Sequence, residues 1–293
     1  MTALSALASL SRQLPPSRGK ARVGRVLGMT MAALGFDPVA EVAADDGVFL
    51  LDGRSRTEAA KLWNGHYDED DVAFLRAVTP ADGAFLDIGA NVGLILIPML
   101  AHLGHHGRAV GVEPMPVNFD RLGRAVARNR PATPVELRQI ALGSTTGTLQ
   151  LVKEGRRGAS GNAVPSAADG RPGTEVPVVT LDALTTELAL TRLDTIKIDV
   201  EGLEVEVFRG AVSTLERFRP LVYGEFNNEL MPRLGVDFLD AWAIFEPLGY
   251  VCFSFKHRLH LEHRPTPHAA LGNVVLAPSE RVSVLERQGI QID

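Results

Sequence analysis

Residues 85–93 read FLDIGANVG, and their pattern indicates the class of fold. A short apolar strand, Ala84–Ile88, runs into a glycine turn, and a helix begins directly after the turn. Gly89 allows the backbone to turn sharply, and Gly93 allows the helix to pack close to the strand. Open α/β sheets bind their ligands at the carboxyl ends of the parallel strands, so the turn predicts a ligand site.

Strands and helices alternate along most of the chain after this strand. The apolar spacing predicts four strand–helix units and a further strand at Val135–Leu142. The units are Ala84–Ile88 with Val92–Leu103, Ala109–Glu113 with Pro116–Asn129, Leu193–Val200 with Leu203–Arg209, and Pro220–Phe226 with Asp237–Leu248. Such units predict an α/β fold whose mostly parallel sheet has helices on both faces. The closing strands, Tyr250–Phe255 and Asn273–Ala277, lack a long helix between them and predict an antiparallel C-terminal hairpin at the sheet edge.

The first part of the chain departs from this pattern. We expect a helical extension with a short hairpin at residues 1–63 and the main domain at residues 64–293, since turn signals flank Val48–Leu51. Residues 1–40 carry five basic side chains against one acid, Asp37, which gives a local net charge of +4. Such a segment could touch a membrane or an acidic partner, but a solvated helix packed on the main domain or on a second copy is favoured. Self-association through this extension is therefore an option.

The composition restricts the class of protein. The chain has 293 residues, of which 45% are hydrophobic and 22% charged, an ordinary globular balance with enough apolar surface for a sizeable core. A net charge of −5 gives no electrostatic support to nucleic-acid binding. The single cysteine, Cys252, cannot form an internal disulfide. No apolar run is long enough to span a bilayer, and the start lacks the charge order of a signal peptide. We therefore expect a cytoplasmic protein without a nucleic-acid partner.

Glu113 is the second candidate binding residue. It ends the next strand, about 20 residues past the glycine turn, where a carboxylate can accept hydrogen bonds from both hydroxyls of a ribose. Dinucleotide-binding sheets use G-x-G-x-x-G at the turn to approach a pyrophosphate, and this chain lacks that spacing. S-adenosylmethionine (SAM) has no phosphate, so a SAM site would tolerate the departure.

A third set of candidates lies in IKIDVEGLEVEVFRG, residues 196–210. Asp199 ends an apolar strand beside the expected cleft, and Glu201 follows it. These acids could act as a general base, bind a metal, or bind the amino group of a cofactor. Glu204 fits a role at the helix N-terminus, and Glu206 reads as a surface residue.

Several segments together resemble the FkbM family of SAM-dependent methyltransferases. They are DIGANVG (87–93), VEP (112–114), TLD (180–182), KIDVEGLE (197–204) and GNVVLAP (272–278), in that order. The resemblance covers roughly residues 60–280. It implies a class I methyltransferase with a Rossmann-like sheet of seven strands and SAM as the cofactor. It also implies methyl transfer, most often to a hydroxyl of a sugar, polyketide or similar metabolite.

The resemblance also implies roles for individual residues. The methionine part of SAM would meet Asp87, Gly89, Asn91 and Gly93, and Glu113 would hold the ribose. The adenine would lie between Ile140 and Ala141, with Ser144 where an acid often stands. Asp199 and Glu201 would face the transferred methyl group and the acceptor.

The general base and the metal stay open at this point. Asp199 or Glu201 would serve as the base if burial raises its pKa, and a histidine such as His257 is the rival because it needs less tuning. His257 belongs to a group that includes His260, His263 and His268. A magnesium ion held by Asp199 and Glu201 would instead lower the pKa of the acceptor. An NAD-dependent oxidoreductase and a non-catalytic subunit with the SAM fold are the alternative functions.

Overall fold

A computed structural model describes residues 3–15, 17–44, 46–153, 163–166, 172–227, 229–264 and 272–293. The helices there are α1 (Ala3–Arg12), α2 (Arg18–Ala33), α3 (Glu58–Asn64), α4 (Glu69–Val78), α5 (Leu96–His102), α6 (Pro116–Asn129), α7 (Leu181–Glu187), α8 (Glu204–Arg209), α9 (Val212–Phe218), α10 (Phe238–Phe245) and α11 (Val282–Arg287). The strands are β1 (Val39–Ala44), β2 (Gly47–Asp52), β3 (Ala84–Ile88), β4 (Arg108–Val112), β5 (Val135–Arg138), β6 (Ala141–Leu142), β7 (Gly147–Lys153), β8 (Ala163–Pro165), β9 (Thr174–Val179), β10 (Thr195–Ile198), β11 (Leu221–Phe226), β12 (Tyr250–His257), β13 (His260–His263), β14 (Gly272–Pro278) and β15 (Gln291–Ile292). Short 3-10 helices lie at Met231–Leu234, Glu246–Leu248 and Ser279–Arg281.

The main sheet has nine strands in the order β15-β13-β12-β14-β11-β10-β3-β4-β5. The strands from β11 to β5 are parallel to one another. All residues of β3 and β10 are buried, as expected for central strands covered on both faces. The order reverses between β3 and β10, and open α/β sheets bind ligands at such a switch point. The predicted α/β class is thus confirmed, and the glycine turn ends β3 at the switch point.

The far side of the sheet differs from the prediction in two ways. Nine strands replace the predicted seven because β13 and β15 extend the sheet beyond β12. The two closing strands are antiparallel, but β14 lies between β11 and β12 and pairs with both. The predicted edge position of this pair was therefore wrong. β14 is an interior strand: its residues Val274–Ala277 are all buried, as is typical of a strand that is covered on both faces.

A smaller sheet of four strands, in the order β6-β9-β7-β8, lies outside the main sheet. The predicted strand Val135–Leu142 divides between the two sheets: β5 belongs to the main sheet and β6 to the small one. A separate apolar cluster, which includes Met115, Leu151 and Val176, holds the small sheet beside the end of β4. The small sheet thereby adds a wall to the ligand end of the main sheet.

The N-terminal extension packs on the main domain. The predicted hairpin is confirmed as the antiparallel pair β1 and β2. Its Phe49 belongs to the same buried cluster as Val92 and Ala125 of the main domain. A buried ion pair of 2.6 Å joins Glu58 of α3 to Arg121 of α6. Self-association through the extension stays a prediction.

The helices within the described ranges include none with both the length and the apolar character needed to cross a membrane.

Candidate active site

The glycine turn after β3 has two positions that cannot carry a side chain without strain. Gly89 has a φ of +80°, and a Cβ atom there would lie 1.9 Å from the carbonyl oxygen of Asp199. Gly93 has a φ of +89°, and its Cβ would lie 2.9 Å from Cδ1 of Leu122. The Gly89 N–H donates to the carbonyl oxygen of Val112 at 2.9 Å, which ties the turn to β4. The bare backbone of Gly89 therefore forms the junction between the turn and the segment that follows β10.

Glu113 lies directly after β4 and is only 5% exposed. Its Oε2 accepts a hydrogen bond from the backbone N–H of Asn91, and its Oε1 accepts one from the N–H of Met115, both at 2.9 Å. Asn91 has a φ of +50°, a left-handed conformation that Asn adopts more readily than most residues. Burial raises the pKa of the Glu113 carboxyl to about 7, although these hydrogen bonds oppose the rise. A further donor beside Glu113, such as a ligand hydroxyl, would favour the ionised carboxylate.

A cleft of about 600 Å³ opens between the glycine turn, Glu113 and the small sheet. We call it the apolar cleft, because most of the residues that line it are apolar: Ile88, Val112, Pro114, Ile140, Ala141, Leu142, Leu151, Val200 and Leu203. The predicted cofactor residues that line it are Gly89, Asn91, Glu113, Ile140 and Ala141. The cleft thus combines a flat apolar interior with one buried carboxyl.

Asp87 lies below the turn rather than in the apolar cleft, and it is fully buried (0% exposed). Its Oδ1 lies 3.2 Å from Nζ of Lys197, which stands beside it on β10. Lys197 also donates a hydrogen bond of 3.1 Å to the carbonyl oxygen of Gly89. Within the described ranges, the Asp87 oxygens have no hydrogen bond of normal geometry beyond this ion pair. The sequence analysis missed Lys197, a positioning residue that holds the glycine turn.

Asp199 and Glu201 lie in the loop after β10 and face the cleft. The Asp199 N–H donates to the carbonyl oxygen of Ile88 at 3.0 Å, so the loop is tied to the end of β3. Glu201 has a φ of +54°, and its Oε2 accepts a hydrogen bond of 3.0 Å from Nδ2 of Asn227. Non-glycine residues in this region are often found at ligand sites, where the strain is held by the surroundings.

The next acids hold the loop in shape. Oε1 of the buried Glu204 accepts hydrogen bonds from the N–H groups of Val200 and Gly202, at 3.1 and 3.3 Å. Burial raises the pKa of the Glu204 carboxyl to about 7. The Ser144 hydroxyl donates to Oε2 of Glu206 at 2.6 Å, so it contacts this acid and is not among the residues that line the apolar cleft.

A second cavity, of about 920 Å³, adjoins the apolar cleft. We call it the acidic chamber, and its boundary includes Tyr67, Asp68, Asp71, Lys197, Tyr223 and Glu225. Four residues line both cavities: Gly89, Asn91, Asp199 and Glu201. The glycine turn and the acidic loop therefore form the border between the two spaces.

The sheet register explains why these polar side chains meet. Ile198 pairs with Gly224, so Asp199 and Glu225 are the next residues on adjacent parallel strands. Asn273 pairs with Glu225 in the neighbouring antiparallel β14. Residues in register on adjacent strands point to the same face of a sheet. A polar row therefore crosses the carboxyl end of the sheet on the side of the acidic chamber.

The sequence analysis missed most of this row. Tyr223 donates a hydrogen bond to Asp71, and Nδ2 of Asn273 donates to the Tyr223 hydroxyl at 2.6 Å. The acids at the start of α4 are typical of a helix N-terminus, yet two of them, Asp68 and Asp71, bound the acidic chamber. Tyr67 beside them also lines it.

The structure does not bring the candidate histidine to either cavity. His257 is exposed at the end of β12, where its ring lies 5.4 Å from that of His260. It is not among the residues that line the apolar cleft or the acidic chamber. His268 lies outside the described residues. In the parts of the chain that the structure describes, no three or more His, Cys, Asp or Glu side chains are grouped to hold a metal ion, so magnesium at Asp199 and Glu201 gains no support.

Comparison with known sequences now defines the class of protein. The profile of the Methyltransferase FkbM domain matches residues 87–252, which is more than half of the chain. The chain therefore belongs to the FkbM methyltransferase family, as its motifs predicted. The match begins at Asp87 and includes both the glycine turn and the acidic loop.

One curated relative is Methyltransferase sdnD of Sordaria araneosa, which is 31% identical over 159 residues. The aligned part is 45% of this chain and 61% of sdnD, so the chain spans about three fifths of that relative. Among solved structures, methyltransferase FkbM from Methylobacillus flagellatus KT gives a TM-score of 0.42 at 17% identity, over 67% of this chain and 44% of that chain. The O-methyltransferase from Bacillus cereus, in complex with SAH, gives 0.42 at 13% identity, over 94% of this chain and 96% of that chain.

Proposed function

We propose that this protein is a SAM-dependent methyltransferase that methylates a hydroxyl group of a small molecule, such as a sugar or another natural product. One observation carries the proposal: Asp199 lines both the apolar cleft and the acidic chamber. A carboxylate on the border of two adjoining cavities can serve a cofactor in one and an acceptor in the other. Family membership favours this reaction over an NAD-dependent oxidoreductase.

The residues of the apolar cleft fit SAM. Gly89 lines the cleft without a side chain, and the loop after β10 packs directly against it, since a Cβ atom there would lie 1.9 Å from the carbonyl oxygen of Asp199. Glu113 presents a buried carboxyl to which ribose hydroxyls would donate hydrogen bonds. Ile140 and Leu203 give the cleft apolar walls suited to an adenine ring.

When bound, SAM supplies a methyl group whose carbon bonds to an acceptor oxygen as it leaves the sulfur, which keeps the electron pair. Asp199 would take the proton of the acceptor hydroxyl, because an alcohol is a poor nucleophile until its proton is removed. Glu201 would orient the acceptor from the same loop, with its carboxylate fixed by Asn227. The chain's main contribution is to hold the two reactants in line and at near-attack distance.

Two measurements in sequence test this proposal. Calorimetric titration of the purified protein should give binding of both SAM and its demethylated product, SAH, and no binding of NADH. Incubation with methyl-labelled SAM and a panel of hydroxylated sugars and natural products should then give a labelled ether, identified by mass spectrometry. Glu113→Gln should weaken SAH binding, whereas Glu187→Gln, at a largely exposed acid, should not.

The outcomes separate the remaining alternatives. If a demonstrably folded protein bound neither SAM nor SAH, the proposed function would be refuted. SAM binding with no transfer to any acceptor would favour a non-catalytic subunit. The cytoplasmic location and the acceptor stay predictions.

A further inference from the structure

The acidic chamber offers a path for an acceptor from the surface to Asp199. An outer pocket of about 990 Å³ shares Tyr67, Asp68, Asp71 and Asn273 with the chamber. The chamber in turn meets the apolar cleft at Asp199. If the cleft holds SAM, as the proposed function states, a molecule that enters through the outer pocket reaches the methyl group at this border. The chemistry of the chamber walls therefore selects the acceptor.

These walls carry an excess of negative charge. Among the described residues that line the chamber, Lys197 is the single Lys or Arg. Six carboxyl groups line it: Asp68, Asp71, Asp87, Asp199, Glu201 and Glu225. Lys197 is already committed to Asp87 and to the carbonyl oxygen of Gly89. Within the described residues no ion pair reaches Asp68, Asp199 or Glu225.

The excess of negative charge affects the pKa of Glu225. Glu225 is the one exposed residue of β11, its side chain lines the chamber, and Asp199 follows the adjacent strand β10. Loss of hydration, and then repulsion by Asp199, raise the pKa of Glu225 to about 7. A cation in the chamber would favour the ionised carboxylate and so oppose this rise in pKa.

A second, independent sign of a ligand that donates hydrogen bonds comes from Asp87. It is fully buried and lines the chamber, yet within the described ranges its Oδ2 has no hydrogen-bond partner. Buried carboxylate oxygens are rarely left without a donor. The ammonium group of SAM is one donor that would suit Asp87. Asp68 and Glu225, in contrast, line the chamber and not the apolar cleft, so the cofactor does not account for them.

We propose that the acidic chamber binds an acceptor that carries a protonated amine as well as the hydroxyl to be methylated. Glu225 and Asp68 face the ammonium group, while Asp199 faces the hydroxyl. A phosphorylated or carboxylated acceptor is rejected because it would add negative charge to this site. A neutral acceptor leaves the two acids without a counter-charge, so it binds more weakly.

Two matched pairs of probes test this inference, each made of a hydroxylated amine and its N-acetyl derivative. The pairs are glucosamine with N-acetylglucosamine, and 2-amino-1-phenylethanol with its N-acetyl derivative. In both pairs the acetyl group removes the positive charge of the amine. Binding is measured by calorimetry at neutral pH on the full chain saturated with SAH. Because hydrogen bonds to charged groups are worth about 1.5–3 kcal/mol, the amine of each pair should bind roughly tenfold tighter or better.

Variants locate the effect. Glu225→Gln and Asp68→Asn should each remove most of the preference for the amine, whereas Glu187→Gln at an exposed site should keep it. SAH affinity reports whether each variant is folded, and Asp68→Asn at the outer mouth carries the test if Glu225→Gln fails to fold. Equal binding of the N-acetyl members, no binding of either amine, or a preference that survives both substitutions would overturn the inference. Loss of SAH binding by the wild-type protein would instead refute the proposed function.

Discussion

Lys197→Met offers the most direct test of how the glycine turn is held in place. Lys197 is 8% exposed, and its Nζ lies 3.2 Å from Oδ1 of Asp87 and 3.1 Å from the carbonyl oxygen of Gly89. Methionine keeps the length of the side chain but removes the ammonium group. Asp87 would then be a buried carboxylate with no counter-charge, and Gly89 would lose the donor on its carbonyl.

Removal of one partner from a buried ion pair typically costs about 3–5 kcal/mol, because the remaining charge is left uncompensated. For a chain of this size, 1 kcal/mol lowers the melting temperature by roughly 2–4 °C. We therefore expect Lys197→Met to melt about 6–20 °C below the wild type. Since the Gly89 turn also loses its support, SAH should bind more weakly.

A double-mutant cycle isolates the pair from other effects of the substitution. The double variant, with Asp87→Asn and Lys197→Met, should be about 2 kcal/mol or more stable than expected if the two single losses of stability simply added, because it leaves no unpaired charge. Arg124→Met, which breaks an exposed ion pair of 3.4 Å, is the control and should change stability by about 0.5 kcal/mol or less. The reasoning fails if Lys197→Met lies within about 1 kcal/mol of the wild type, or if the single losses add.

Three further predictions concern the turn, the loop and the pH. Gly89→Ala should weaken SAH binding tenfold or more by calorimetry, because the added Cβ would lie 1.9 Å from the carbonyl oxygen of Asp199; Gly147→Ala, with no atom within 4 Å, is the control. Asp199→Asn should remove most turnover of methyl-labelled SAM and leave SAM affinity nearly unchanged, and wild-type turnover would exclude Asp199 as the base. Burial raises the pKa of Glu113 from 4.5 to about 7, so its contribution to the stability of the ligand-free protein should be lost as pH rises through this range. Ribose hydroxyls favour the ionised carboxylate, so SAH affinity should increase between about pH 6 and pH 8, and Glu113→Gln should abolish that increase.

Most of the residues that the sequence analysis assigned to the cofactor line the apolar cleft, because their positions follow from local sequence. The turn from Gly89 to Gly93 follows from residue types that only a few backbone conformations accept. Glu113 could be placed because the end of a strand in a parallel sheet has a known position relative to the turn. The helix Pro116–Asn129 was predicted with the bounds that the structure shows, since it has a proline at its first turn and a clear apolar period.

Lys197 was missed although the sequence contains a signal for it. A lysine in the middle of the otherwise apolar strand β10 must be buried, and a buried charge needs a partner. Asp87 occupies the corresponding place in β3. It is the charged residue of the other fully buried strand of the parallel core. The two could have been paired from this argument, provided that β3 and β10 were known to be neighbours.

The acidic chamber depends on strand order, which the local sequence does not encode. Asn273 reaches the polar row because β14 runs antiparallel between β11 and β12, so its first residues lie at the carboxyl end of the parallel strands. From a hairpin at the edge of the sheet, as predicted, Asn273 would stand two strands away from Glu225. His257 was a rival candidate on its chemistry alone, and the structure leaves it exposed.

The contact between Gly89 and Asp199 predicts that cofactor binding and methyl transfer are coupled in this protein. The glycine turn and the loop after β10 are in contact through their backbones, with no side chain between them to absorb a shift. Asn91 and Glu201, just beyond this contact on either side, both have left-handed conformations that the surrounding structure must hold. A change that moves the turn by a fraction of an ångström therefore also moves the carboxylate of Asp199. Substitutions at Lys197, which reaches both the turn and the strand before the loop, should consequently lower cofactor affinity and turnover together, whereas a substitution of the Asp199 side chain should separate them.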